Sequence, residues 1–202
     1  MHYGTIANFD NPDRGAFFIP LDAVPSVYMS GHNKWSQIKH QKGATDKKKS
    51  VVFSKILKAI TIAARGEPNP AFNPRLRSLI EEARTNTVPN ENIERAIQKT
   101  QDTDALEEMT LEAYGPNGIA ILINTITDST TRTVNEVRHV LEKNGGKLGE
   151  IGSVRWAFDG TVARFPLEIS AEDTAVIKKL TELLEDRDDV QNIFTNVLNP
   201  EL

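Results

Sequence analysis

The apolar positions of this chain follow two different periods. Between Phe53 and Ile97 they recur at three and four residues, the spacing of amphipathic helices. Phe53, Ile56, Leu57, Ile60, Ala63 and Ala64 share one arc of a first helix, and Lys47, Lys48, Lys55, Lys58 and Arg65 gather on another. After a loop carrying Pro68 and Pro70, Asn73 is placed to cap a second helix with Pro74 at its first position and Leu76, Leu79, Ile80 and Ala83 as its buried stripe. Thr87 to Pro89 ends it. Asn90 then opens a short third helix through Ile93, Ala96 and Ile97. Three such helices cover one another's apolar faces, which predicts a helical domain over 29–100.

Residues 101–108 are polar and acidic and read as a linker, after which the period shortens to two. Met109, Leu111 and Ala113 alternate with Thr110 and Glu112, a half-buried strand. Gly115-Pro116-Asn117-Gly118 turns the chain into the apolar run 119–126. Residues 131–143 predict a helix buried through Val134, Val137 and Leu141, with Asn144-Gly145 as its left-handed cap. Val154, Trp156 and Phe158 alternate as a further strand, and Asp159-Gly160 is a hairpin signal returning through Val162, Arg164 and Pro166. A helix from Ala171 to about Asp186, buried through Val176, Ile177, Leu180, Leu183 and Leu184, precedes a last strand over 190–197. The predicted fold is α then α+β: a small three-helix N-terminal domain followed, over 109–202, by a ferredoxin-like-related antiparallel sheet domain.

Charge changes the picture at one place. The stretch His32 to Arg65 holds nine basic residues against one acid, Asp46, in a chain whose net charge is −4, so everything outside it sums to −12. From Gln101 onward there are nineteen acids and nine bases. A concentrated positive segment on an acidic protein has the character of a polyanion footprint, because each phosphate neutralised releases condensed counterions. Lys34, Lys39, Lys42, Lys47, Lys48, Lys49, Lys55 and Lys58 are the candidate phosphate contacts, with Trp35 and His40 placed among them to stack or pack. The alternative is a solvated lysine face with Trp35 as a core anchor. The acidic domain is expected to orient the basic one or to meet protein.

The glycine-rich loop Asn144, Gly145, Gly146, Lys147, Leu148, Gly149 is a candidate secondary contact. It lacks the Ser or Thr and the spacing of a Walker loop, so simple helix termination competes with a contact role. No nucleophile or metal constellation stands out. His32, His40 and Asp46 are a poor metal site, and His139 lies opposite the buried stripe of its helix. Neither catalysis, a cofactor, a metal nor a small-molecule substrate is expected. The chain has no cysteine, which excludes disulfides and thiolate zinc sites, and no apolar run approaches the roughly 18 residues of a membrane span. Residues 1–28 lack the features of a targeting signal and read as an irregular, proline-punctuated extension, in which Phe17, Phe18 and Ile19 offer a possible docking arm.

The segments SGHNKWSQIKHQKGATDKKKSVVFSKILKAITIAAR, NPRLRSLIEEAR, VPNENIERAIQK, EAYGPNGIAILI, TRTVNEVRHVLEKNGG, LGEIGSV and DDVQNIFTN, in this order, resemble the YebC/PmpR family from Met29 nearly to the end. The resemblance implies a helical amino-terminal domain followed by α+β domains. It also implies a cytoplasmic nucleic-acid-binding regulator of gene expression. Family members include DNA-binding transcriptional regulators, a mitochondrial translational activator, and ribosome-associated translation factors that help with difficult peptides such as proline runs. The implied partner is therefore DNA, ribosomal RNA or both. A protein-interaction adaptor is the third reading, and the oligomeric state stays open. One departure is visible: the family's usual inserted α+β domain, between the segments matching 154–158 and 162–168, is replaced here by Asp159-Gly160.

Overall fold

The computed structural model describes residues 32–99 and 106–198, with side chains from Lys48 onward. By contacts the chain divides into residues 1–40 and 41–202. The extension 1–28 and most of the expected linker lie outside the described residues.

Three helices come first: α1 (His32–Ala64), α2 (Pro74–Thr85) and α3 (Asn90–Gln98). Asn73 joins the first two. Its Oδ1 accepts from the Leu76 N–H at 2.9 Å and caps α2, while its Nδ2 donates to the carbonyls of Ala63 and Glu67, both at 2.8 Å, closing the end of α1. Ile56, Ile60, Ala64, Leu76, Ile80, Ala83, Val88, Ile93 and Ala96 form one buried cluster. The Thr61 hydroxyl, buried beside it, donates to the Ala96 carbonyl of α3 at 3.2 Å. The helix stripes therefore meet as their spacing predicts.

The sheet follows. β1 (Glu107–Tyr114) and β2 (Ala120–Thr127) pair antiparallel along their whole length, from Glu107 opposite Thr127 to Tyr114 opposite Ala120. The strand β1 thus begins inside the segment read as linker. Two further elements add to this pair, β3 (Lys147–Leu148) on β1 and β6 (Val190–Thr195) on β2, giving the antiparallel order β3-β1-β2-β6. The helices α4 (Thr130–Lys143) and α5 (Ala171–Glu185) cover one face, where Ile121 and Ile123 pack with Val137, Val140, Leu141, Ile177, Leu180 and Leu184. Ala120 and Leu122 point the other way and are buried with Val154, Ala157 and Phe158. Because β2 is covered on both faces, its sequence reads as a continuous apolar run instead of an alternation.

Several expectations are corrected. Residues 154–158 do not form a sheet strand. Arg155–Ala157 is a 3-10 turn, followed by the two-residue β4 (Phe158–Asp159), which pairs only with β5 (Val162–Ala163) in a separate hairpin across Gly160 at φ +62°. The cause is the side chain of Glu112, which draws the backbone N–H groups of Val154 and Arg155 to its carboxylate at 2.8 and 3.0 Å and so removes them from any ladder. On α4 the buried positions are Thr133, Val137, Val140 and Leu141, with Val134 only half-buried, and on α5 Val176 is exposed. The last strand stops at Thr195, short of the expected 197, and β3 lies within the segment expected to be loop. No described helix is long and apolar enough to cross a membrane.

Candidate nucleic-acid interface

Lys34, Trp35, Lys39, His40, Lys42 and Lys47 lie on α1 but outside the residues whose side chains are described. Lys48 and Lys49 are exposed. They line a groove with Val52 and Phe53 of the same helix and with Thr85, Asn86 and Thr87 at the end of α2. The Thr85 hydroxyl and the Asn86 side-chain amide donate to the carbonyls of Glu81 and Glu82 at 3.0 and 2.9 Å, so the two ammonium groups are the donors the groove offers to phosphate oxygens.

Lys55 and Lys58, expected among the phosphate contacts, are committed inside the fold. The Lys58 ammonium bonds Asp189 at 2.5 Å and Asp188 at 2.9 Å, and Lys55 donates to the Glu185 carbonyl. Burial pushes Lys58 down, but its hydrogen bonds to Asp189 and Asp188 outweigh this and hold it above the ordinary lysine value. For Lys55 burial prevails over the attraction of Glu185, Asp186 and Asp188, and its ammonium is held below that value.

Asp189 is the centre of this arrangement. Its side chain, 5% exposed, also accepts from the Thr133 hydroxyl at 2.6 Å and the Arg132 guanidinium at 2.9 Å. Burial alone would raise its carboxyl. The hydrogen bonds from Lys58, Thr133 and Arg132 reverse that and lower it to about 2. In sequence Asp188-Asp189 reads as a helix breaker. The structure adds that Asp189 collects donors from α1 and α4 at once, a role that spacing along the chain does not reveal.

The segment that follows the glycine loop is held by a buried carboxylate. Glu112, placed by strand alternation among the solvent positions, is buried, and its carboxylate accepts from the N–H groups of Gly152, Val154 and Arg155 at 2.7 to 3.0 Å. Burial opposes the charge, yet these three donors and the nearby Arg155 bring the carboxyl below its ordinary range. Those three donors follow the loop 144–149; within it, the Gly146 and Gly149 N–H groups donate to the backbone carbonyls of Leu141 and Glu112, both at 2.8 Å, and are thus spent inside the fold. Two glycines are explained by crowding: a Cβ at Gly146 would stand 2.8 Å from the Tyr114 carbonyl oxygen, and one at Gly149 would stand 2.3 Å from the Ser153 hydroxyl. Gly145, at φ +78°, is the left-handed cap expected after α4. Asn144 donates to the Val140 carbonyl at 2.7 Å, which leaves Lys147, exposed and 5.4 Å from the centre of the Tyr114 ring, as the loop's outward cation.

Residues 33–103 match the model of the TACO1/YebC protein N-terminal domain, and residues 106–163 match that of the TACO1/YebC second and third domain. A relative from Prosthecochloris aestuarii named "Probable transcriptional regulatory protein" is 46% identical over 175 residues, covering 84% of this chain and 70% of its own length. The chain belongs to the TACO1/YebC family. Other family members of the same name come from Chloroherpeton thalassium, 44% identical over 84% of this chain and 71% of the relative, and from Desulfosudis oleivorans, 52% identical over 65% and 55%. The chain thus spans between 55 and 71% of the length of these three TACO1/YebC relatives. Among solved structures, a conserved hypothetical protein from Aquifex aeolicus superposes with a TM-score of 0.70 at 30% identity, over 76% of this chain and 91% of that one.

Proposed function

We propose that this TACO1/YebC chain is a nucleic-acid-binding regulator of gene expression that acts in the cytoplasm, without catalysis, and that duplex DNA is its target. The observation that carries the reading is the basic segment His32 to Arg65, nine positive residues against one negative in a chain of net charge −4. The name the relatives carry, "Probable transcriptional regulatory protein", points to the same class. The phosphate contacts are Lys34, Lys39, Lys42, Lys47, Lys48 and Lys49, with Trp35 and His40 among them and Lys147 as a secondary cation. Lys55 and Lys58 are left out because acidic and carbonyl groups of the fold already hold them.

Ribosomal RNA is the second reading, and one observation favours it. The segment is rich in lysine, a point charge for backbones, and holds few Arg, Asn or Gln side chains of the kind that pair with base edges. Sedimentation with ribosomes and retardation of duplex DNA, each with Lys48→Glu/Lys49→Glu beside the parent chain, tests both. Loss of duplex retardation on charge reversal supports the DNA reading. Loss of ribosome association supports the second. A chain that binds neither is an adaptor for protein partners, and the nucleic-acid reading fails.

A further inference from the structure

The surface of the sheet domain carries a second feature that the lysine segment does not account for. Trp156 and Phe165 are 59% and 55% exposed, their ring centres 5.8 Å apart and their planes inclined at 42°. Val162 of β5 is 69% exposed, and Ile151 is fully exposed. Two large rings packed together in the open form an apolar patch of the kind that marks a contact surface.

Three properties say which contact this one suits. First, the rings are held. The Trp156 indole N–H donates to the Ser153 carbonyl at 2.8 Å, a carbonyl that the Tyr114 hydroxyl also reaches at 2.7 Å. The indole's polar edge is thus satisfied internally, and a ligand covering its face takes no hydrogen bond away. Second, the backbone beneath is fixed: Arg164 N–H donates to the Ala157 carbonyl at 2.8 Å, and Phe158 pairs with Ala163. Third, the local charge departs from the domain's. From Lys143 to Phe165 there are four basic residues, Lys143, Lys147, Arg155 and Arg164, against Glu150 and Asp159, within a half of the chain where acids outnumber bases nineteen to nine. Arg155 and Arg164, both exposed, immediately precede Trp156 and Phe165 in sequence.

We infer that Trp156 and Phe165 form a stacking platform for unpaired bases of a nucleic acid, with Arg155 and Arg164 meeting the adjoining phosphates. Every base has a π-face, so such a platform accepts single strands with little regard to sequence, and rigid aromatic rings lose little entropy on binding. The inference rests on the nucleic-acid reading above and adds what that reading does not contain: a second site, on the sheet domain, for single-stranded segments.

The test uses the full chain with two labelled probes of equal length, an oligouridine and a duplex, in anisotropy titrations across a salt series. Trp156→Ala/Phe165→Ala lowers oligouridine affinity about tenfold or more. It leaves the slope of log K against log salt unchanged, because stacking releases no counterions, and duplex affinity stays that of the parent. Trp156→Phe keeps the oligouridine affinity but loses part of the tryptophan quenching seen when the strand binds the parent. Oligouridine affinity equal to the parent's in the double variant overturns the platform while the duplex arm still stands for the lysine segment. Failure of both probes on the parent chain removes the nucleic-acid reading itself. If the double variant instead changes only the sedimentation of the chain alone, the aromatic pair is a protein contact and the inference is wrong.

Discussion

Lys58 and Asp189, 131 residues apart in the chain, meet at 2.5 Å, and through them α1 is tied to the residue that immediately precedes the last strand, β6. Asp189 is the buried partner, and Asp188 holds the same ammonium from the exposed side at 2.9 Å. A lysine that sequence assigns to phosphate thus works as an internal fastening.

This yields an exchange of phenotypes between neighbouring lysines. Lys58→Met is expected to destabilise the chain by roughly 1 to 3 kcal/mol, because Asp189 keeps Arg132 and Thr133 but loses one charged partner. Its affinity for duplex DNA at a temperature where it remains folded stays near the parent's. Lys48→Glu/Lys49→Glu does the opposite, with an unchanged denaturation midpoint and a large fall in affinity. Urea unfolding and anisotropy titration of both variants check the pair.

Acid stability follows from Asp189. Its carboxyl is lowered from 3.8 to about 2 in the fold, so the charged form is favoured by folding. The contribution is fully present above the unfolded value and is lost as pH falls through the folded one, a window from about pH 4 down to about pH 2. Its size is about 2 kcal/mol. Glu112, also held below its ordinary value, adds in the same direction. Urea midpoints measured between pH 5 and pH 2 decline in the parent, and the decline is shallower in Asp189→Asn.

The loop 149–155 is organised by one carboxylate. Glu112→Gln leaves a single side-chain acceptor oxygen for the three N–H groups of Gly152, Val154 and Arg155. A loss of about 2 kcal/mol is expected, and hydrogen exchange at those three amides accelerates before exchange elsewhere in β1 and β2.

The two crowded glycines differ in kind. Gly146→Ala drives a methyl against the Tyr114 backbone oxygen, whereas the nearest atom to a methyl at Gly149 is a Ser153 hydroxyl that can turn aside. Gly146→Ala is therefore the more destabilising, by roughly 1 to 3 kcal/mol, and thermal melts of the two variants rank them.

What the sequence disclosed follows from which interactions are local. The stripes of α1 to α3, the cap at Asn73, the β1–β2 hairpin and the left-handed Gly145 all depend on residues within a few positions of one another. Alternation failed at Val154 to Phe158 because the decisive partner, Glu112, is about forty residues upstream and acts through a side chain. The same limit hid Asp189: Lys58 carries a charge and lies on the polar arc whether it faces solvent or a buried carboxylate 131 residues away. Trp156 alternates with Val154 and Phe158 in sequence, and in the 3-10 turn that stands in place of a strand it lies at the surface while Val154 and Phe158 are buried.

The account as a whole turns on the lysines of α1, and salt is the direct probe of them. With Lys34, Lys39, Lys42, Lys47, Lys48 and Lys49 each neutralising one phosphate, log K for a duplex falls against log salt with a slope of about −5, and Lys48→Glu/Lys49→Glu reduces that slope by about 2. A flat response, or a slope that the double reversal leaves unchanged, contradicts the assignment.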